Sequence, residues 1–142
     1  MKVSEVMTSD VQTCGPSDSI VDVAMKMRDL DVGSIPIVDS NQGLRGIITD
    51  RDIVIRGVAQ NIDLAKEHCA NLMTTDLFHC REDTDVHQVA DIMAEHQIRR
   101  LPVVDAENRL VGICAIGDLA LEQIFVDDAG EALSDISQPT VH

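Results

Sequence analysis

The sequence predicts an α+β fold made of two copies of one small unit. Compared with itself at an offset of 66 positions, so that Met7 meets Met73, the sequence aligns in two halves without a gap. In each half, apolar residues recur first at helical spacing and then in two short runs of strand length. The chain has no Trp, no Tyr and two Phe, so its core must be aliphatic. Its 142 residues are enough for one compact domain.

Matched positions extend from the start of the repeated unit to its end. The matching pairs are Met7-Thr8 with Met73-Thr74, Cys14 with Cys80, Pro36 with Pro102, Val38-Asp39 with Val104-Asp105, Gly46-Ile47 with Gly112-Ile113, and Asp52 with Asp118. Coincidence does not keep one register over this length, so the chain is an internal duplication. We expect a first repeat at 1–61, a linker at 62–72, a second repeat at 73–126 and an acidic tail at 127–142.

The first repeat reads as β-α-β-β-α. Cys14 lies in a short strand, and Ser17 is the expected N-cap of a helix whose apolar residues continue to Leu30. A strand at 35–38, a turn and a strand at 44–49 follow, and a second helix begins near residue 50.

The second repeat follows the same order. Its first helix carries Val86, Val89, Ala90 and Met93, its strands span 101–104 and 110–115, and its closing helix spans 116–125. Proline in the first strand of each pair predicts that this strand lies at a sheet edge or at its own start. Residues 61–71 contain enough Ala, Leu and Lys to predict a helix in the linker.

One such unit has a single sheet face and two amphipathic helices, so it buries too little apolar surface alone. We therefore expect the two repeats to pack about a pseudo-twofold axis. The flat helical faces that remain predict a homodimer. The residues expected at its interface are Ile53, Val54, Ile55, Leu119, Leu121, Ile124 and Phe125.

Charge and hydropathy exclude several functional classes. The formal net charge is −14, and no basic stripe suits nucleic acid or an anionic membrane surface. No apolar run approaches the roughly 18 residues of a membrane helix, and the first residues lack a secretory signal, which predicts a cytoplasmic protein. The cysteines form no CxxC pair, so reduced, buried thiols without metal are expected.

Three repeated motifs resemble those of the CBS-domain (cystathionine-β-synthase-type) family. They are the Met-Thr start, an apolar-Pro-apolar-Val-Asp strand, and a strand-to-helix step that runs from Gly to Asp. The copies are Met7-Thr8 and Met73-Thr74, residues 35–39 and 101–105, and residues 46–52 and 112–118. The resemblance covers nearly everything from Val3 to Phe125 and is to the small stand-alone prokaryotic CBS-pair proteins.

The resemblance implies a disc-shaped pair of repeats that dimerises and binds an adenosine-containing ligand in the cleft between repeats. AMP, ADP, ATP and S-adenosylmethionine are ligands of the family. Its Thr/Ser-x-x-Asp motif supplies an Asp for the ribose hydroxyls and a hydroxyl nearby. The matching residues here are Thr49 with Asp52, and Asp118 alone, because Ala115 replaces the hydroxyl residue.

Other candidate site residues follow from the same resemblance. Arg99 and Arg100 stand where some relatives place basic residues for phosphate, whereas the first repeat has Gly33 and Ser34 there. Arg51 offers a further donor to phosphate. Ile35 and Leu101 occupy positions that flank an adenine in the family and that are otherwise core positions.

Different interpretations of the same residues stay open. Thr49 and Asp52 also fit a capping box, which would make both residues structural, and Asp118 without a hydroxyl partner hints at a use of the acid beyond capping. Nothing resembles a catalytic motif, so no enzyme activity and no required cofactor are expected. The first hypothesis is a ligand sensor read by an unidentified protein partner. The alternatives are a dimeric interaction scaffold with degenerate sites, and a metal or thiol stress sensor that uses Cys14, Cys80 and His79.

Overall fold

The computed structural model describes residues 1–121, with Leu121 described by its backbone alone. The predicted tail at 127–142, together with Ile124 and Phe125, lies outside the described residues. The helices and strands are α1 (Ile20–Leu30), β1 (Ser34–Val38), β2 (Leu44–Thr49), α2 (Asp50–Asp52), β3 (Cys80–Arg81), α3 (Val86–His96), β4 (Arg100–Val104), β5 (Leu110–Ala115) and α4 (Ile116–Leu121). The predicted α+β class and the repeated order of elements are confirmed. No helix within residues 1–121 is long and apolar enough to cross a membrane.

The chain divides into two compact units that do not follow the sequence repeats. The middle unit is Gln12–Leu77, and the terminal unit combines Met1–Val11 with the chain from Phe78 onward. Each unit therefore contains the strands of one repeat and the starting segment of the other. The predicted domain boundaries divide the chain elsewhere and stay a prediction.

The two long helices begin and end by the same physical devices. Ser19, and not the predicted Ser17, caps α1, because its Oγ accepts a hydrogen bond from the backbone N–H of Asp22 at 3.1 Å. Asp85 caps α3 in the same way. Asp31 and Gln97 end the helices in the left-handed conformation, at φ 55° and 53°.

The strand pairs of the two units share one geometry. β1 with β2 and β4 with β5 are antiparallel, and each pair has a register shift near its end, between Ile37 and Val38 and between Val103 and Val104. In the terminal unit β3 adds in parallel to β4, whereas in the middle unit Cys14 makes a single parallel bridge to Ile37. The antiparallel pairs carry the strand-to-helix steps at their ends.

In the second repeat Pro102 lies neither in an edge strand nor at the start of its strand, contrary to the prediction. β4 is the middle strand of the order β3-β4-β5. Pro102 is tolerated there because β3 reaches only Val103 and Val104. On the other side Pro102 faces Ile113, whose N–H and C=O bond to Thr8 instead. No ladder bond is therefore lost at Pro102.

The linker does not form the predicted helix. Between Asn61 and Asn71 the chain makes turns and one 3₁₀ helix, Cys69–Asn71. Its carbonyl groups are used by the start of α1, since Ile20 N–H donates to the Glu67 carbonyl at 3.1 Å and Val21 N–H donates to the Leu64 carbonyl at 3.1 Å. A continuous helix in the linker would withdraw these acceptors.

The Met-Thr start of each repeat is bound by the strands of the other repeat. Thr74 and Ile47 exchange two backbone hydrogen bonds of 2.8 and 3.0 Å, and Thr8 and Ile113 exchange two of 2.9 Å. The neighbouring glycine allows this approach. A Cβ on Gly46 would lie 2.8 Å from both Met73 Sδ and the Thr74 carbonyl oxygen. The repeated Met-Thr and Gly motifs are therefore two sides of one contact.

We predict that Gly46→Ala and Gly112→Ala each destabilise the fold by about 1–3 kcal/mol. On Gly112 a Cβ would meet Met7 Sδ at 2.5 Å and the Thr8 carbonyl oxygen at 2.8 Å. Urea unfolding followed by circular dichroism measures the effect. Gly117→Ala is the matched control, because within residues 1–121 nothing lies within 4 Å of its Cβ position in α4. Equal stability of all three variants would contradict the prediction.

Candidate functional site

Thr49 and Asp52 form the strand-to-helix step of the middle unit. β2 ends at Thr49, whose Oγ1 accepts a hydrogen bond from the Asp52 N–H at 3.0 Å. Asp52 Oδ2 accepts one from the Thr49 N–H at 3.0 Å. Both halves of a capping box are present, so the capping interpretation of this pair is confirmed.

Asp52 has further partners that the sequence analysis missed. Its side chain is 11% exposed, and one guanidinium nitrogen of Arg56 lies 3.9 Å from Oδ1. The Thr74 hydroxyl lies 3.3 Å from both carboxylate oxygens and donates to them. Arg56 also donates to the carbonyls of Leu72 and Met73, at 3.1 and 3.2 Å. The carboxylate thus connects α2 to the Met-Thr segment. In the sequence, only the four-residue spacing of Asp52 and Arg56 indicates any of these contacts, namely the ion pair.

Asp118 is less engaged at the matching step of the terminal unit. Its Oδ2 accepts a hydrogen bond from the Ala115 N–H at 2.9 Å, which is half of the same capping box. Asp118 therefore also caps, since the backbone of Ala115 supplies this bond without a hydroxyl group, and a use of the acid beyond capping stays a prediction. The side chain is half-buried, and Oδ1 has no partner among the described residues.

Arg99 and Arg100 lie at the Asp118 step. Arg100 is paired with Ala115 in the β4–β5 register, and the Arg99 carbonyl accepts a hydrogen bond from the Ile116 N–H at 2.9 Å. Both side chains are exposed, and neither guanidinium has an ion pair within residues 1–121. Arg51 is exposed at the other step, in the middle unit.

Ile35 and Leu101 are core residues, at 1% and 0% exposure. Each belongs to the apolar core of its own unit and presents almost no surface to solvent. The structure thus groups the predicted site residues in two sets. Thr49, Asp52, Arg51 and Ile35 lie in the middle unit, and Asp118, Arg99, Arg100 and Leu101 lie in the terminal unit.

The cysteine thiols are buried in the cores of the two units. Burial raises the pKa of Cys14, raises the pKa of Cys69 and Cys80 to about 11, and raises that of Cys114 to about 12. The thiolate is the form that attacks electrophiles and binds metals, and it is scarce here at neutral pH. Within residues 1–121 no three His, Cys, Asp or Glu side chains are grouped to hold a metal.

Apolar side chains are exposed where α2 continues into a π-helix, Ile53–Val58. Val54, Ile55 and Val58 are about half exposed, and we call these three residues the apolar patch. Val54 and Ile55 also line a shallow cavity of about 310 Å³ beside Asp50 and Arg51. Two expected interface residues, Ile53 and Leu119, are instead buried in the cores because they face inward from their helices. The side chains of Leu121, Ile124 and Phe125 lie outside the described residues.

Comparison with known families and sequences gives one consistent result. The family model described as "CBS domain" matches residues 3–57 and 69–124. The CBS domain-containing protein YhcV of Bacillus subtilis is 41% identical over 140 residues, which cover 99% of this chain and 98% of that protein.

Solved structures of similar proteins agree. Hypoxic Response Protein I, crystallised with two coordinated zinc ions, matches with a TM-score of 0.77 and 32% identity over 86% of this chain and 98% of that one. The CBS domain pair of protein MJ0100, in complex with 5′-methylthioadenosine and S-adenosyl-L-methionine, has a TM-score of 0.71 and 31% identity, with coverage of 89% and 97%. CBSX2 of Arabidopsis thaliana, in complex with AMP, has a TM-score of 0.75 and 26% identity, with coverage of 89% and 98%.

We predict that the folded protein becomes less stable above about pH 9. Unfolded thiols ionise near their ordinary pKa of 9.0, whereas burial holds folded Cys69 and Cys80 neutral up to about 11. Stability from these groups is therefore complete below pH 9 and is lost as the pH rises towards 11. Urea unfolding from pH 7 to pH 11 measures the decline.

The control is a matched thiol variant. Cys114→Val keeps an apolar side chain of similar size and removes the thiol with the highest pKa, about 12. Its stability should fall less steeply with pH than that of the wild type. Parallel pH profiles for the two proteins would refute the assignment to buried thiols.

Proposed function

This chain belongs to the CBS-domain family, and from that premise we propose that it is a non-catalytic regulatory module that binds an adenosine-containing ligand. The observation that carries the proposal is that CBS-domain proteins with 31% and 26% identity to this chain hold S-adenosyl-L-methionine with 5′-methylthioadenosine, and AMP. Adenosine is common to all three compounds. No cofactor is required for this function, and the ligand acts by shifting a conformational equilibrium that a protein partner reads.

The contacts at the two strand-to-helix steps support a role in ribose binding and rank the steps. A carboxylate can accept hydrogen bonds from both hydroxyls of a ribose. Asp118 uses one oxygen for the Ala115 N–H and has the other available among the described residues. Asp52 would have to share oxygens already bound by Thr49 and Thr74. We therefore infer that Asp118 binds the ribose more tightly than Asp52, even though Ala115 replaces the hydroxyl residue of the motif at the Asp118 step.

The overall charge and the thiols bear on the other candidate functions. A net charge of −14 opposes binding to nucleic acid and to anionic membrane surfaces, and it fits the cytoplasmic location that we propose. The raised thiol pKa values oppose a thiol or zinc sensor built on the cysteines of the two cores. A sensor of small adenosine compounds needs neither a basic surface nor a reactive thiol.

The apolar patch supports a homodimer as the assembled form. Three aliphatic side chains, Val54, Ile55 and Val58, are exposed within five positions of one helical segment. A second copy of the chain would cover this patch through a self-complementary contact. The dimeric scaffold without a ligand stays the alternative function, and ligand titration separates the two.

We predict that adenosine binds and that Asp118→Asn weakens binding about 10- to 100-fold, the loss of one charge-assisted hydrogen-bonding group. The amide oxygen of Asn still accepts the Ala115 N–H, so the fold is retained. Isothermal titration calorimetry with adenosine measures the change, and Asp52→Asn should weaken binding less. Asp91→Asn, an exposed carboxylate on α3, is the control and should bind as the wild type does.

Two results would count against this function. If adenosine, AMP and S-adenosylmethionine all fail to bind at millimolar concentration, the regulatory ligand-binding proposal fails and the dimeric scaffold replaces it. If adenosine binds equally to all three variants, the ribose lies elsewhere, and Thr49, Asp52 and Asp118 act only as helix caps.

We predict that the protein is a dimer of about twice 15.5 kDa at micromolar concentration. The double substitution Val54→Glu with Ile55→Glu places charge on the apolar patch and should give a monomer. Light scattering coupled to size exclusion measures the mass. Val21→Glu, at an exposed apolar position on α1 of the same unit, is the control and should stay dimeric. A wild-type mass of 15.5 kDa would refute the homodimer.

A further inference from the structure

The two strand-to-helix steps carry opposite charge at matched positions. In the middle unit, Gly33 and Ser34 face a helix start with Asp50, Arg51 and Asp52, a formal charge of −1. The matched residues of the terminal unit are Arg99, Arg100, Ile116, Gly117 and Asp118, a formal charge of +1. The backbone hydrogen bonds are the same in both, since Asp50 N–H donates to the Gly33 carbonyl and Ile116 N–H donates to the Arg99 carbonyl, each at 2.9 Å.

Asp50 occupies the space that a side chain at position 33 would need. A Cβ built on Gly33 would lie 3.2 Å from Asp50 Oδ2 and 3.6 Å from Oδ1. Oδ1 also accepts the Arg51 N–H at 2.8 Å, which holds the carboxylate over the glycine. In the other copy, the side chain of Arg99 begins at this position. The Asp50 carboxylate in one unit thus lies where, in the other, the side chain of Arg99 leaves the backbone.

The arginine pair is free to meet an anion. Both guanidinium groups are exposed, and within residues 1–121 neither is held by a carboxylate. The matched acid is absent, because Ile116 stands where the middle unit has Asp50. Arginine gives phosphate two parallel hydrogen bonds as well as charge. Asp50, in contrast, would repel a phosphate and attract a cation.

We propose that the two steps sort adenosine compounds by charge, a proposal that rests on the adenosine-binding function proposed above. The terminal unit takes adenosine 5′-phosphates, with Arg99 and Arg100 on the phosphate. The middle unit takes adenosine compounds without phosphate, with the sulfonium of S-adenosylmethionine favoured by Asp50. Asp50 and Arg99 are then the residues that determine whether each unit binds phosphorylated or unphosphorylated adenosine compounds. One chain can therefore respond to both kinds of ligand at the same time.

Exchanging the matched residues between the copies tests this inference. Arg99→Gly with Arg100→Ser gives the terminal unit the residues that the middle unit has at these two positions, and Asp50→Ile gives the middle unit the residue that the terminal unit has at position 116. Asp50→Asn removes the charge with little change of shape, should the isoleucine variant fold poorly. Arg45→Ser removes an exposed arginine of β2 that lies four residues before Thr49 and serves as the charge control. Each variant is titrated calorimetrically with adenosine, AMP and S-adenosylmethionine.

We expect the double arginine variant to lose AMP affinity about 10- to 100-fold while adenosine affinity stays unchanged. We expect both Asp50 variants to bind S-adenosylmethionine about tenfold more weakly, again with adenosine unchanged. The Arg45 variant should match the wild type with all three compounds.

The outcomes separate this inference from the function on which it rests. If adenosine binds and every variant changes AMP and S-adenosylmethionine by the same factor, sorting by charge is overturned and the adenosine site stands. If AMP affinity survives the loss of both arginines, the phosphate assignment is overturned in the same way. If none of the three compounds binds the wild type, the proposed function fails and the inference fails with it.

Discussion

The fold depends on a close backbone contact that each repeat makes with the start of the other. Thr74 pairs with Ile47 and Thr8 pairs with Ile113, and glycine at positions 46 and 112 leaves room for a methionine sulfur against the strand. A larger residue at either position would push the two backbone segments apart and weaken the hydrogen bonds between them. The contact also explains why neither sequence repeat is a compact unit: each one contributes its first segment to its neighbour.

The carboxylate of Asp52 connects this backbone contact to the candidate site. Asp52 bonds to Thr49 at the end of β2 and to Thr74 within the exchanged segment, and Arg56 bridges from Asp52 to the carbonyls of Leu72 and Met73. A ligand that drew Asp52 towards a ribose would therefore pull on the segment that completes the unit. The Asp118 step has the same backbone geometry without the hydroxyl bond, so its carboxylate is less restrained. The two strand-to-helix steps therefore share one backbone geometry, but only the Asp52 step is bonded to the Met-Thr segment through its carboxylate.

Most of the fold could be predicted from the sequence, because apolar spacing and the 66-residue repeat are local or self-comparing signals. The strands β1, β2, β4 and β5 differ from prediction by one residue at most, whereas Cys14 makes a single bridge and not the expected strand. The N-cap of α1 differs because Ser17 and Ser19 are both good N-cap residues. The exchange of Met-Thr segments could not be predicted, since Thr8 lies 105 positions from Ile113 and Thr74 lies 27 positions from Ile47, distances at which no local sequence pattern reports a contact. The same holds for the Thr74–Asp52 bond, while the capping box was visible because its residues are three apart.

The exchanged segments also fix an order of events during synthesis on the ribosome. The middle unit needs only residues 12–77, so it can close as soon as Thr74 has emerged and met Ile47. Met1–Val11, although translated earlier, has no partner until residues 82–86 are translated, and Thr8 has none until Ile113 of β5 follows. The nascent chain therefore carries an unpaired segment, with the apolar Val3 and Met7, until after the middle unit has been translated. Transiently exposed apolar surface of this kind favours aggregation, so residues 1–11 are exposed to that risk until the terminal unit closes.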